Sequence, residues 1–156
     1  MACPIVPDLK EAAIVFGQLA LITAALFAGA ALYVSVVEQP ARLGLDERSL
    51  LVEWKPAYKR GTAMQAPLAI LGFLLGLAAW WQTGQVGWAI GAVAMIANWP
   101  FTFFAIMPVN HRLMAIEPST AGPETRAMIE RWGLLHAGRT ALGLAASLAF
   151  LWGSLS

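Results

Sequence analysis

Charge is what this chain has least of. Only 12% of its 156 residues are Asp, Glu, Lys or Arg, against roughly 25% in soluble domains. The formal net charge of +1 leaves no basic surface for a polyanion, which excludes a nucleic-acid binder. Cysteine is nearly absent: Cys3 stands alone, so there is no disulfide framework and no cysteine-based metal cluster. Histidine occurs only as His111 and His136, so any imidazole chemistry falls to those two positions. Glycine-rich phosphate loops, internal repeats and low-complexity tracts are missing as well. What fills the chain is apolar. Hydrophobic residues make up 59%, seven Trp among them, and mean hydropathy is +0.66. Water could not solvate a monomer of that composition, and the sequence reads as an integral membrane protein.

A bilayer-spanning helix needs about 20 mostly apolar residues. Runs of that kind cover about 12–37, 62–81, 86–107 and 133–153. The first exceeds the apolar core of a signal peptide and is preceded by Asp8, Lys10 and Glu11 rather than a positive leader, so it reads as a retained span. Continuous apolarity, without alternation, excludes barrel strands. The expected fold is therefore all-α, a single integral-membrane four-helix bundle. Arg42, Arg48, Lys55, Lys59 and Arg60 separate spans one and two, and Arg112, Arg126 and Arg131 separate spans three and four. The Gln82–Gln85 turn and the C-terminal tail carry no Lys or Arg, and the N-terminus has only Lys10. By the positive-inside rule both long loops are cytoplasmic and both termini lie on the other side. The expected location is a bacterial inner (cytoplasmic) membrane.

On this topology Trp80, Trp81, Trp88 and Trp152 form an outer aromatic belt, with Trp54, Tyr58 and Trp132 near the inner face. The pairs Gly72/Gly76, Gly87/Gly91 and Ala25/Gly29 have the four-residue spacing that lets helix backbones approach closely. Pro100 and Pro108 free carbonyls in the third span and bend it. Gly122–Arg131, with Pro123 at a first helical position and Glu124 in the first turn, reads either as a surface helix or as a downward extension of span four.

Polar residues converge at one depth. Span one ends in Glu38-Gln39-Pro40, and span two begins at Arg60 and contains Gln65. Span three carries Asn98 and Thr102 and ends in Pro108-Val109-Asn110-His111, while span four opens with Trp132, His136 and Arg139. Trp132, His136 and Arg139 share a helical face by spacing. Ionisable groups inside spans are costly and mark function. His111, His136 and Glu38 are the minimum for a two-histidine, one-carboxylate metal site, for which iron, copper and zinc are the candidates. Asn110 is placed to orient a ligand or donate to an oxyanion, and Arg139 to pair with Glu38 or hold an anionic oxygen. The same residues also suit a structural role, as interfacial anchors and an ion pair of Glu38 with Arg60 or Arg139. Asn98 reads as a helix–helix hydrogen bond, and Glu53, Tyr58 and Glu117 as solvated or interfacial.

Three segments carry a family resemblance: Tyr33-Val34-Ser35-Val36-Val37-Glu38-Gln39-Pro40, then Pro108-x-Asn110-x-x-Leu113, then Trp132-x-x-x-His136-x-x-Arg139. In their order and placement, from about Val15 to Trp152, the chain resembles the anthrone oxygenase-like family of small four-span membrane proteins. That resemblance implies an oxygenase converting an anthrone to an anthraquinone with molecular oxygen, as in fungal aromatic polyketide pathways. Glu38, Asn110, His136 and Arg139 are the matching positions, and Trp132 matches as an anchor. His111 stands beside the motif without belonging to it, and no metal is inherited from the family.

The expected function is oxygenase or oxidoreductase chemistry on a lipophilic, aromatic substrate. His136 acts as base or as metal ligand, and Arg139 and Asn110 stabilise the anion. Trp99, Phe101, Phe103 and Phe104 are candidates to line the pocket. The cofactor is left between iron, copper and none. The expected partners are membrane lipid and a lipophilic small molecule, with a homo-oligomer or larger membrane complex as a further option. The alternative function is a non-enzymatic accessory subunit packing against such a complex through its small-residue faces. A transporter is the weakest reading, because there are no inverted repeats and the outer halves of the spans are nearly devoid of polar residues.

Overall fold

Each apolar run seeds a helix that outgrows it. The structure, a computed structural model, describes residues 9–156, with side chains from Ile14; Cys3 and Asp8 lie outside the described residues. Four helices, Ile14–Leu43, Glu47–Thr83, Val86–Ala115 and Pro123–Leu155, are each long and apolar enough to cross a membrane. No strand occurs among the described residues. The interval read from sequence as a long loop after span one shrinks to Gly44, Leu45 and Asp46. Its remaining residues are helical because the segment is amphipathic: Leu50, Leu51 and Trp54 fall on one face and are fully buried. Asp46 caps the second helix, its carboxylate accepting from the Arg48 and Ser49 amides at 3.1 Å. Hydrogen bonds from Ser49 hold that carboxyl below the usual carboxylate range. Gly122–Arg131 takes the second of its two readings, as the start of one unbroken fourth helix.

The cations assigned to loops are correspondingly on helices. Arg42 is buried on the first. Lys55 donates to the carbonyls of Met114 and Ile116, at 3.1 and 2.6 Å, at the end of the third helix. Arg126 pairs with Glu47 at 3.0 Å and donates to the Leu43 carbonyl at 2.8 Å. Basic side chains thus tie down the end of the bundle where the first and third helices finish and the second and fourth begin.

The helices form a ring in which the first and third each pack against the second and the fourth. Two cores result. The one towards the termini is built from alanines, with Phe27, Met95, Trp88 and Phe150 filling the gaps. The other gathers Leu50, Trp54, Ile106, Leu113, Ile129 and Trp132. Large aliphatic side chains such as Leu26, Val93 and Leu148 face outward, the surface a bilayer covers.

Small residues permit the ring at specific points. A Cβ on Gly72 would meet Met95 at 2.6 Å, and one on Gly76 or Gly91 would run into Phe150. A Cβ on Gly87 would meet the Gly153 backbone at 2.7 Å. Ala25 and Gly29 differ from their expected packing role: both are exposed, and nothing lies within 4 Å of a Cβ added at Gly29. Three tryptophans also turn inward, away from the expected belts. Trp88 packs on Phe150, ring centroids 5.8 Å apart, and its indole N–H finds Gln85 Oε1 at 3.1 Å. Trp54 and Trp132 meet edge to face at 5.7 Å.

Two widened turns interrupt the α-helical register, Val34–Glu38 in the first helix and Thr102–Ile106 in the third. In each the closing amide reaches five residues back, Gln39 N–H to the Val34 carbonyl and Met107 N–H to the Thr102 carbonyl. Each turn ends two residues before a proline, Pro40 or Pro108. Proline supplies no amide and its ring collides with the carbonyl four residues back, and a π turn relieves both. The bend expected in the third span therefore takes the form of a π turn.

Where a helix contact leaves no room, adding a methyl should cost stability. Gly87→Ala, set against backbone that cannot yield, is expected to destabilise by about 1–3 kcal/mol. Gly29→Ala should be neutral or stabilising by up to about 1 kcal/mol, from helix propensity alone. Thermal unfolding of both variants in detergent checks the contrast, and equal midpoints would refute the assigned contact.

Candidate functional site

All four helices contribute to a cavity of about 370 Å³ at the end tied by the basic residues. Its wall includes Tyr33, Val34, Glu38 and Arg42 of the first helix, and Tyr58, Arg60, Met64 and Gln65 of the second. The third adds Thr102, Ile106, Met107 and Asn110, and the fourth Trp132, His136 and Arg139. Both π turns border it, and their extra girth re-aims the residues that follow, Arg42 on one side and Asn110 on the other.

Charge in this wall is unevenly matched. Arg42, almost wholly buried, forms an ion pair with Glu38 one turn before it and a second with Glu53 across the helix interface at 2.9 Å. Its guanidinium also lies over the Trp132 ring at 5.6 Å. Arg139 is 7% exposed and lies over the Phe27 ring at 5.5 Å, yet among the described residues no carboxylate pairs with it. Its Nε has no hydrogen-bond partner either. The ion pair expected between Glu38 and Arg60 or Arg139 is instead formed with Arg42, which lies one helical turn away and so needs no long reach.

His136 stacks obliquely on Trp132, centroids 5.0 Å apart and planes 31° off parallel. Its Nδ1 lies 3.3 Å from Ser35 Oγ, which in turn lies 2.9 Å from Thr140 Oγ. Nε2 has no protein hydrogen bond among the described residues, and the ring borders the cavity. Asn110 is 1% exposed with neither amide atom partnered, and Gln65 Oε1 and the Trp132 indole N–H are unpartnered as well. Buried polar atoms are nearly always paired, so this concentration of unpartnered atoms sets the cavity wall apart from the rest of the described residues.

Of the residues expected to act together, Glu38, Asn110, His136 and Arg139 all border the cavity. His111 does not: it is exposed on the third helix, turned about 100° from Asn110 by the helical step. Among the described residues no three of His, Cys, Asp and Glu form a group able to hold a metal ion, so Glu38, His111 and His136 are not assembled as a triad. Among the described residues Asn98 makes no helix–helix bond; its amide nitrogen donates to the Ala94 and Met95 carbonyls of its own helix. Tyr58 stacks on Trp54 at 5.1 Å and borders the cavity, and Glu53 is held by Arg42 rather than simply solvated. Trp99 and Phe103 border a second, smaller cavity, while Phe104 faces outward and Phe101 packs against Gly138. Ser35, Thr140 and Arg42 carry site geometry that the sequence reading passed over. Their signal was helical spacing, Arg42 four residues after Glu38 and Thr140 four after His136.

The family model for anthrone oxygenase matches residues 54–149. An anthrone oxygenase of Pestalotiopsis fici is 30% identical over 114 residues, covering 62% of this chain and 79% of the relative. An anthrone oxygenase of Aspergillus fumigatus is 30% identical over 139 residues, covering 83% of this chain and 86% of the relative. Both relatives are fungal and lend no support to a bacterial inner membrane. No solved structure matches.

The Glu38–Arg42–Glu53 arrangement predicts non-additive stability. Glu38→Gln or Glu53→Gln alone leaves Arg42 one carboxylate. The double variant strands a buried guanidinium, a loss of about 3–5 kcal/mol when such a pair is broken, and should exceed the sum of the two singles. His111→Ala should match the wild type. Thermal unfolding of the set in detergent measures this, and simple additivity would show that the two carboxylates do not share Arg42.

Proposed function

Because this chain belongs to the anthrone oxygenase family, we propose that it oxygenates a lipophilic, anthrone-type aromatic substrate held in the 370 Å³ cavity. The observation that carries the proposal is Arg139: a buried guanidinium bordering the cavity and paired with no carboxylate among the described residues. Isolated charges in apolar surroundings are very costly, and a guest bearing a developing negative oxygen offsets that cost. The volume lies within the 300–1,000 Å³ or so usual for small-molecule sites.

The chemistry assigned to these residues starts at the methylene opposite the anthrone carbonyl. With Nδ1–H donating to Ser35 Oγ, and Ser35 in turn to Thr140, His136 Nε2 is left as the free base. It takes one methylene proton. The electron pair moves onto the carbonyl oxygen, where Arg139 and the Asn110 amide stabilise the enolate. The enolate carbon bonds to dioxygen, and the proton returns to the distal oxygen as a hydroperoxide forms. Loss of the remaining C–H proton breaks the O–O bond, giving a second carbonyl and water. Anthrone and dioxygen thus become anthraquinone and water, with the organic substrate oxidised and oxygen reduced. In this reading the cavity lies towards the cytoplasmic face and both termini towards the opposite one, following the basic residues clustered at that end.

His136→Ala is expected to lower turnover of an anthrone by about 10²–10⁴-fold while leaving helix content unchanged, read as quinone absorbance and oxygen consumption. Arg139→Gln should do the opposite to stability and function. It removes an uncompensated buried charge, so the empty protein melts no lower or higher, yet it loses affinity for the product quinone. Normal turnover in the first variant, or a lower melting point with intact affinity in the second, would overturn the assignment.

A further inference from the structure

Beside the large cavity lies a smaller one of about 150 Å³, between the second and third helices. The two share Thr62, Thr102, Met107 and Arg139 in their walls, so they adjoin on either side of those side chains. Apart from the shared Thr62, Thr102 and Arg139, the polar residue in the smaller wall is Asn98, which is 2% exposed. Its Nδ2 donates to the Ala94 and Met95 carbonyls, each at 3.2 Å, and its Oδ1 accepts nothing among the described residues. An orphaned acceptor in apolar surroundings is costly. A guest that brings a donor satisfies this acceptor, which a lipid acyl chain cannot do. A cavity of this size accommodates one benzene ring.

We infer that the smaller cavity is a subsite of the same pocket, taking one ring of the substrate and reading a hydroxyl on that ring through Asn98 Oδ1. The inference rests on the substrate class proposed above and adds to it the residue that reads one ring of the guest. Arg139, in the wall between the cavities, faces the anionic oxygen at one end of the molecule, and Asn98 accepts from the hydroxyl at the other. Asn98 is thus a specificity residue and takes no part in proton transfer.

The test is equilibrium binding of two product quinones, a dihydroxyanthraquinone and unsubstituted anthraquinone, to the detergent-purified chain by tryptophan fluorescence quenching. Asn98→Leu removes no bond between helices, since both donors serve Asn98's own helix. It should cut the preference for the hydroxylated quinone about tenfold, the loss of one hydrogen bond of about 1.4 kcal/mol, and leave unsubstituted anthraquinone within about twofold. Ala66→Phe, which fills the smaller cavity from its wall, should weaken the hydroxylated quinone about tenfold or more. Equal weakening of both quinones by Asn98→Leu, no weakening of either, or full affinity in Ala66→Phe would overturn the subsite while leaving the oxygenase reading in place. Failure of the wild type to bind either quinone would instead overturn that reading, and the subsite with it.

Discussion

Two buried arginines border the same cavity, and the different way in which each is held organises this molecule. Arg42 is matched by two carboxylates and an indole face, so it acts as a strut joining the first, second and fourth helices. Among the described residues Arg139 is matched only by an aromatic ring. The bundle offsets this elsewhere, through the closely packed alanine and glycine half that binds the other ends of all four helices. Stability concentrated in one half permits an unsatisfied half, the division expected where function asks for a strained or under-paired site.

Space for the cavity comes from the backbone. A regular helix ending in Pro40 or Pro108 would set a carbonyl against the proline ring, and the π turns resolve that conflict by bulging. The bulges lie beside the cavity, where a wider helix moves Glu38, Arg42 and Asn110 relative to the faces packed above them. Proline placement and pocket formation are in this sense one event.

Much of this was legible in the sequence. Four apolar runs gave four helices because hydrocarbon demands that backbone groups pair within a segment, and the antiparallel order brought Glu38, Asn110, His136 and Arg139 to one cavity. Helix ends were not legible, since Leu50, Leu51 and Trp54 sit among charges and lower the local hydropathy while still burying one face. Nor was the fate of His111, one residue from Asn110 in sequence but on another side of the helix. Interfacial tryptophan statistics placed Trp54, Trp88 and Trp132 at belts, whereas Trp88 fills the volume left open beside Gly153 and the alanine core, and Trp54 and Trp132 pack on each other among large aliphatic side chains. The pairing of Arg42 lay in a spacing of four residues across what read as a loop.

The widened turns carry a consequence for how the first and third helices can vary. A turn closed over five residues holds one residue more than an α turn, and each residue advances a helix by about 100°. Each of these helices is therefore two stretches in different rotational phase, one aligned to the alanine-rich core and the other to the cavity. A single periodic pattern of apolar positions cannot describe either helix from end to end. The two stretches can drift in composition separately, provided the extra residue in each turn is kept, since losing it would rotate the whole packing face away from its neighbours while leaving every side chain chemically the same.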